Sequence, residues 1–122
     1  MKIKDKVLLI DIDGTVSDDI KNEEPHLYSD AKVYPGSVET INEWYNEGAN
    51  ITFFTARVEK DRKVTEDWLN KHGFKYHSLI MNKPRIKEGQ EYVWIDNRKV
   101  NGVLYKGKWK NLKKKIKRVL SF

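Results

Sequence analysis

Cysteine is absent from the 122-residue sequence. Its absence removes disulfides, thiolate zinc sites and cysteine nucleophiles together, so any metal must be held by oxygen or imidazole. Long apolar runs are missing too: none approaches the roughly 20 residues that a membrane span needs. Residues 1–6 alternate charge with apolar side chains and do not build the apolar stretch of a secretory signal. A cytoplasmic protein with no membrane partner is expected. No stretch is rich in Pro, Gly or Ser and no repeat is present, so a chain of this length is expected to form a single domain over residues 1–122. Acidic residues are missing from one region only. Residues 98–122 carry ten Lys or Arg and no Asp or Glu, within an overall charge of +6. The first 97 residues hold the other 14 cations and all 18 acids, a balance of −4. An acidic body is therefore followed by a basic segment whose counterpart is a polyanion or only solvent.

What is present is an alternation of strand-like and helix-like stretches. Val7-Leu8-Leu9-Ile10 is a continuous apolar run, as expected for a strand covered on both faces of a parallel sheet. Similar runs recur at 51–55, 79–81 and 92–95. Between the first two, Ser37 can cap a helix with Val38, Ile41 and Tyr45 on one face, and Gly48 can end it. A second helix is expected over about 59–72, burying Val64, Trp68 and Leu69. A basic C-terminal helix is expected over about 109–121, with Leu112, Ile116, Val119 and Leu120 along one stripe. Strands alternating with helices predict right-handed crossovers in a doubly wound α/β sandwich, with ligands at the carboxyl ends of the strands.

The polar residues gather at those ends. Asp11 and Asp13 follow the first run, Thr55 ends the second, Asn82 and Lys83 follow the third, and Asp96 follows the fourth. Gly14 permits a sharp turn after the paired acids. One Asp of such a pair can attack phosphorus while the other protonates the leaving oxygen and then deprotonates water. Asp96 adds a third carboxylate, and the oxygen-rich set suits a hard cation such as Mg²⁺. At an effective dielectric near 20, each repulsion between a carboxylate and a phosphate at about 5 Å costs roughly 3 kcal/mol. Mg²⁺ and Lys83 would offset that cost, and Thr55 could donate to a non-bridging oxygen.

In order, the motifs read DIDGTV (residues 11–16), FFTAR (53–57), NKPR (82–85) and WIDNR (94–98). This set resembles the four motifs of phosphatases of the haloacid dehalogenase (HAD) superfamily over about residues 5–103. The resemblance implies a three-layer, Rossmann-like, mainly parallel α/β sandwich and a Mg²⁺-dependent phosphomonoesterase that works through an aspartyl-phosphate. It implies Asp11 as nucleophile and metal ligand, Asp13 as acid/base and ligand through its carbonyl, Thr55 and Lys83 as holders of the phosphoryl group, and Asp96 as metal ligand. Ile12, Ala56, Arg57 and Asn97, which flank these positions, are the candidates for phosphate or substrate contacts. Arg57 is equally suited to a salt bridge with a neighbouring helix. Many family members carry a second acid where this chain has Asn97, whose amide brings less charge to a metal. The interval between Met81 and Tyr92 is short for a crossover helix.

The spacings leave no room for a large cap domain. An open site suits a macromolecular substrate, or a small one covered by a second copy of the chain in a homo-oligomer. The stretch 53–83 is most similar to short, capless members associated with surface-polysaccharide and sugar-phosphate metabolism, implying a small phosphorylated metabolite as substrate. The rival readings are a nucleic-acid end phosphatase, with the cations of 98–118 along the backbone, and a non-catalytic phosphate- and Mg²⁺-binding module. Other features have plainer readings. His26, His72 and His77 lack metal-ligand spacing. GVLYKGKW (102–109) has Trp109 where a P-loop needs Ser or Thr. Trp44, Trp68 and Trp94 fit a core, while Trp109 stands among lysines and keeps a functional reading. The C-terminal lysines fit a solvated helix face better than a polyanion site.

Overall fold

The computed structural model of the protein describes residues 3–120. Three of the apolar runs form strands: β1 (Val7–Ile10), β2 (Asn50–Phe54) and β3 (Ser78–Ile80). They make a parallel sheet in the order β1-β2-β3. Helix α1 (Ser37–Asn46) connects the first pair and α2 (Arg62–Lys71) the second. Both crossovers advance in the same direction across the sheet, so right-handed connections put both helices on one face.

The pleat divides the strands accordingly. Ile10 pairs with Phe53, which pairs with Leu79, and Leu8 pairs with Ile51, so these residues share a face. Ile51 and Phe53 are fully buried there, against Trp44 of α1, Trp68 and Leu69 of α2, and Phe74. The Phe53 ring meets Phe74 edge-on at 5.6 Å. Removing a side chain such as Trp68 from this cluster would cost about 3–5 kcal/mol.

Most of the opposite face is open, although Thr52 of the central strand is buried there. Val7, Leu9 and Ile80 are 68%, 42% and 45% exposed, which corrects the expectation that β1 is covered on both sides. The fourth expected strand, 92–95, does not form: these residues have no regular structure and all four are exposed. The physical reason lies in the connection. A parallel strand needs a crossover of about a dozen residues or more, whereas 82–91 is shorter and contains no helix. Trp94, expected in the core, lies in solvent for the same reason. The outer edge of β1 has no strand partner among the described residues.

Helix α3 (Trp109–Leu120) buries Trp109, Leu112 and Ile116, while Val119 is exposed. Residue 121, also expected in this helix, lies outside the described residues. Trp109 is a core residue, 2% exposed, packed at 6.0 Å against Trp44 of α1. Its lysine neighbours therefore do not make it a surface side chain. Gly36, with φ 86°, occupies the cap position of α1, so Ser37 is not the cap. It is the first helical residue, and its hydroxyl donates to the Tyr34 carbonyl at 2.8 Å.

No cap domain is present among the described residues. The interval from β1 to α1 holds only the short 3-10 helix Pro25–Asp30, and that from β2 to β3 holds α2 with the 3-10 turn Glu59–Asp61 before it. No helix among them is long and apolar enough to cross a membrane.

Candidate active site

The chain leaves β1 through a tight turn. The N–H groups of Thr15 and Val16 both donate to the Ile12 carbonyl (3.0 and 2.9 Å), and that of Gly14 donates to Ser17 (2.9 Å). Gly14 has φ 78°, a left-handed conformation that favours glycine. The Asp13 carbonyl stays outside these bonds. Asp11 is held on both oxygens: the Thr15 hydroxyl donates to Oδ2 at 3.2 Å and Lys83 Nζ lies 3.7 Å from Oδ1. Burial raises the Asp11 carboxyl above the usual range, while Lys83, Thr15 and the Ile12 N–H pull in the opposite direction.

Asp13 has a different environment. Arg57 reaches it with two nitrogens, Nε to Oδ2 at 3.0 Å and Nη2 to Oδ1 at 2.7 Å. This guanidinium is fully buried, gives Nη1 to Thr65 of α2 at 3.0 Å and lies 3.7 Å above the Tyr28 ring. The planar fork therefore fixes the orientation of the Asp13 carboxylate.

Strand ends β2 and β3 are tied together by backbone bonds, from Thr55 N–H to Ile80 (3.0 Å), Lys83 N–H to Thr55 (2.9 Å) and Asn82 N–H to Arg57 (2.8 Å). Asn82 takes φ 64°, which Asn tolerates better than most side chains. That turn directs Lys83 toward Asp11. Thr55 is fully buried and its Oγ1 accepts the Arg57 N–H at 3.2 Å, leaving the hydroxyl proton for another acceptor.

A cleft of about 380 Å³ opens at this edge, lined by Asp11, Asp13 and Ala56 on one side and Lys83, Arg85 and Tyr92 among the rest. Lys21, Asn22 and Asp19 close it from the segment after the turn. The Asn22 amide, with its oxygen toward Arg85, accepts from Nε at 2.8 Å and Nη2 at 3.1 Å. Lys83 also lies 4.7 Å from the centre of the Tyr92 ring.

The structure thus brings together Asp11, Asp13, Ala56 and Lys83, with Thr55 directly behind the wall. Four expectations need correction. Arg57 does not face a substrate, because both of its outer edges are engaged inward by Asp13 and Thr65. Ile12 is fully buried and offers only its backbone, which serves Asp11. Asp96 and Asn97 are exposed and do not line the cleft. Asp96 instead accepts from Trp94 Nε1 (3.1 Å) and the Arg98 N–H (3.0 Å), since the strand that would have delivered it does not form. Among the described residues, no three acids or histidines are grouped as a metal site. Conversely, Thr15, Arg85, Lys21 and Tyr92 enter the cleft or hold its acids without having been singled out from sequence. The first two stand inside recognised motifs, which was a usable signal; Lys21 and Tyr92 had none.

The parallel sheet, the acid turn after β1 and the absence of a cap define an α/β domain of the HAD-like phosphatase fold. The sequence model of the family described as PITM 1-3, LNS2 domain, matches residues 8–102, and the chain belongs to that family. It is 35% identical over 46 residues to the membrane-associated phosphatidylinositol transfer protein 3 of Mus musculus and to that of Homo sapiens. Those alignments take in 38% of this chain and 5% of the relatives' length. Solved structures agree on the fold. A chain of the Pnkp1/Rnl/Hen1 complex superposes with a TM-score of 0.59 at 21% identity, over 67% of this chain and 30% of that one. A structural-genomics target from Vibrio cholerae gives a TM-score of 0.55 at 24% identity, over 78% and 82%.

Proposed function

We propose that the chain hydrolyses phosphomonoesters with Asp11 as the nucleophile. The observation that carries this reading is the pairing at the cleft of an acid held by Thr15 and Lys83 with a second acid oriented by Arg57. An Asp11 oxygen forms a bond to phosphorus as the bond to the leaving oxygen breaks, and Asp13 supplies the proton that oxygen needs. Water then attacks the aspartyl-phosphate, Asp13 takes its proton, and the Asp11–phosphorus bond breaks to release phosphate. Lys83 and Arg85 lie where they can meet the charge on the phosphoryl oxygens. The Thr55 hydroxyl, one residue from the wall, donates a hydrogen bond to the same group.

The donors suit a hard cation in part. Asp11 offers a partly exposed carboxylate and Asp13 a carbonyl free of the turn's own bonds, both oxygen ligands of the kind Mg²⁺ takes. Bound there, Mg²⁺ supplies charge compensation for the carboxylates and the phosphate. In this reading Asp96 joins them when the segment 84–108, which no strand or helix frames, carries it to the cleft.

The site by itself suits a phosphorylated small metabolite, including a sugar phosphate, since about 380 Å³ has room for a phosphoryl group and one compact substituent. A second reading, an end phosphatase for nucleic acid, is favoured by the basic surface beyond Lys83. The test is release of phosphate from p-nitrophenyl phosphate with Mg²⁺. Turnover that vanishes in Asp11→Asn is expected; equal turnover in the variant sinks the mechanism. Mg²⁺ binding with no hydrolysis of any ester would leave only a binding module.

A further inference from the structure

A second cleft lies on the other side of the acid turn. It has a volume of about 600 Å³ and is lined by Gly14, Tyr34, Pro35, Tyr105 and the stretch 107–110. Tyr34 and Tyr105 lie nearly parallel, 19° apart with centres at 6.2 Å, and both are only partly buried. Tyr105 in turn meets Trp109 at 5.8 Å. The Trp109 indole donates to the Thr15 carbonyl at 2.8 Å, so the aromatic wall is bonded to the turn that carries Asp11. The two clefts share that turn, with Asp11 and Asp13 facing one and Gly14 the other.

Cations continue outward from this wall. Lys106, Lys108, Lys110, Lys114, Lys117 and Arg118 are all exposed. Among the described residues, only Lys113 of α3 is in an ion pair, with Glu43 at 2.6 Å. Lys110, Lys114 and Lys117 recur at helical spacing, which places them on one side roughly 5–6 Å apart. The helix turns Trp109, Leu112 and Ile116 inward, so its cationic side has few apolar groups to insert into a lipid surface. Flat aromatic rings beside a stripe of unpaired cations are what single-stranded nucleic acid needs, rings for the bases and charge for the phosphates.

We propose that this cleft is a base-binding subsite for single-stranded nucleic acid, whose backbone runs along the Lys110, Lys114 and Lys117 side of α3. A base packs on Tyr105 and Tyr34, and the strand end reaches across Gly14 toward Asp11. The subsite names the substrate class of the proposed phosphatase; it rests on that reading for the chemistry at Asp11, but not for binding.

The experiment measures fluorescence anisotropy of a labelled ten-nucleotide oligothymidylate without terminal phosphates with the full chain. Contacts to about four phosphates predict a loss of roughly 50-fold in affinity between 50 and 200 mM salt. Tyr105→Leu should weaken binding at least about 5-fold while Tyr105→Phe does not, as expected for stacking. Lys110, Lys114 and Lys117 changed together to Gln should flatten the salt dependence, and these exposed positions keep the test valid if the tyrosine variants melt early. Equal affinity for an abasic oligomer of the same length overturns the base subsite. No oligonucleotide binding, or binding only to vesicles containing phosphatidylserine, overturns the proposal as a whole. Hydrolysis of p-nitrophenyl phosphate by a chain that binds no oligonucleotide removes the substrate class alone. Tight binding without any hydrolysis removes the phosphatase reading and leaves the subsite standing.

Discussion

The cleft has two unlike halves. Up to Lys83, its residues are fastened to strand ends by backbone bonds that cross from one strand to the next, and its key side chains are held by partners far away in sequence, as Asp13 is by Arg57. From residue 84 to 108 there is no helix or strand, and apart from the bonds of Arg85 to Asn22 its hydrogen bonds are local, such as Trp94 to Asp96 and Lys87 N–H to Gln90. The first half is preorganised because its geometry follows from the sheet. The second has no such frame, so an acid carried on it has its position set by its neighbours and not by the fold.

This contrast can be broken at several points. The largest effect is expected at Asp11, where Asn should reduce turnover of an aryl phosphate by about a thousand-fold or more, as loss of a covalent nucleophile does. Next is Arg57→Met, which leaves Asp13 without its partner inside the protein. Breaking a buried pair in this way costs about 3–5 kcal/mol, read as a lower midpoint in urea, and Arg57→Lys should recover only part because it lacks the fork. Third is Asp96→Asn, which should raise the Mg²⁺ concentration for half-maximal turnover about ten-fold or more. An unchanged requirement would confine the working site to the sheet-built half. The smallest effect concerns stability in chelator. Burial places the Asp11 carboxyl above its usual value, so the folded state holds that proton more tightly than the unfolded chain. The stability this gives is present at low pH and is lost as pH rises through the raised value. Asp11→Asn should therefore melt slightly higher than the parent at pH 7 without metal, and the difference should disappear in acid.

The same contrast explains what could be read in the sequence. Three strands and three helices were legible because each apolar run or stripe had a buried destination, as Phe53 and Trp68 do. Residues 92–95 carry the same signature without the crossover that would seat them, and periodicity alone does not reveal whether a partner edge can be reached. The positions of Asp11, Asp13 and Lys83 followed from where strands end. The Arg57–Asp13 clamp did not, because it joins residues 44 apart and depends on how α2 and Tyr28 wall off the guanidinium. Trp109 was misjudged because its lysine neighbours describe only the outer side of a helix.

The bond from Trp109 to the Thr15 carbonyl spans 94 residues, and it sets an order of events during synthesis. The acid turn is made first, and one of its supports follows only 94 residues later. While those residues are being added, a nascent chain carries Asp11 without a finished site around it. Capacity to act on a phosphoester should thus switch on late, when the residues near position 109 have emerged and docked.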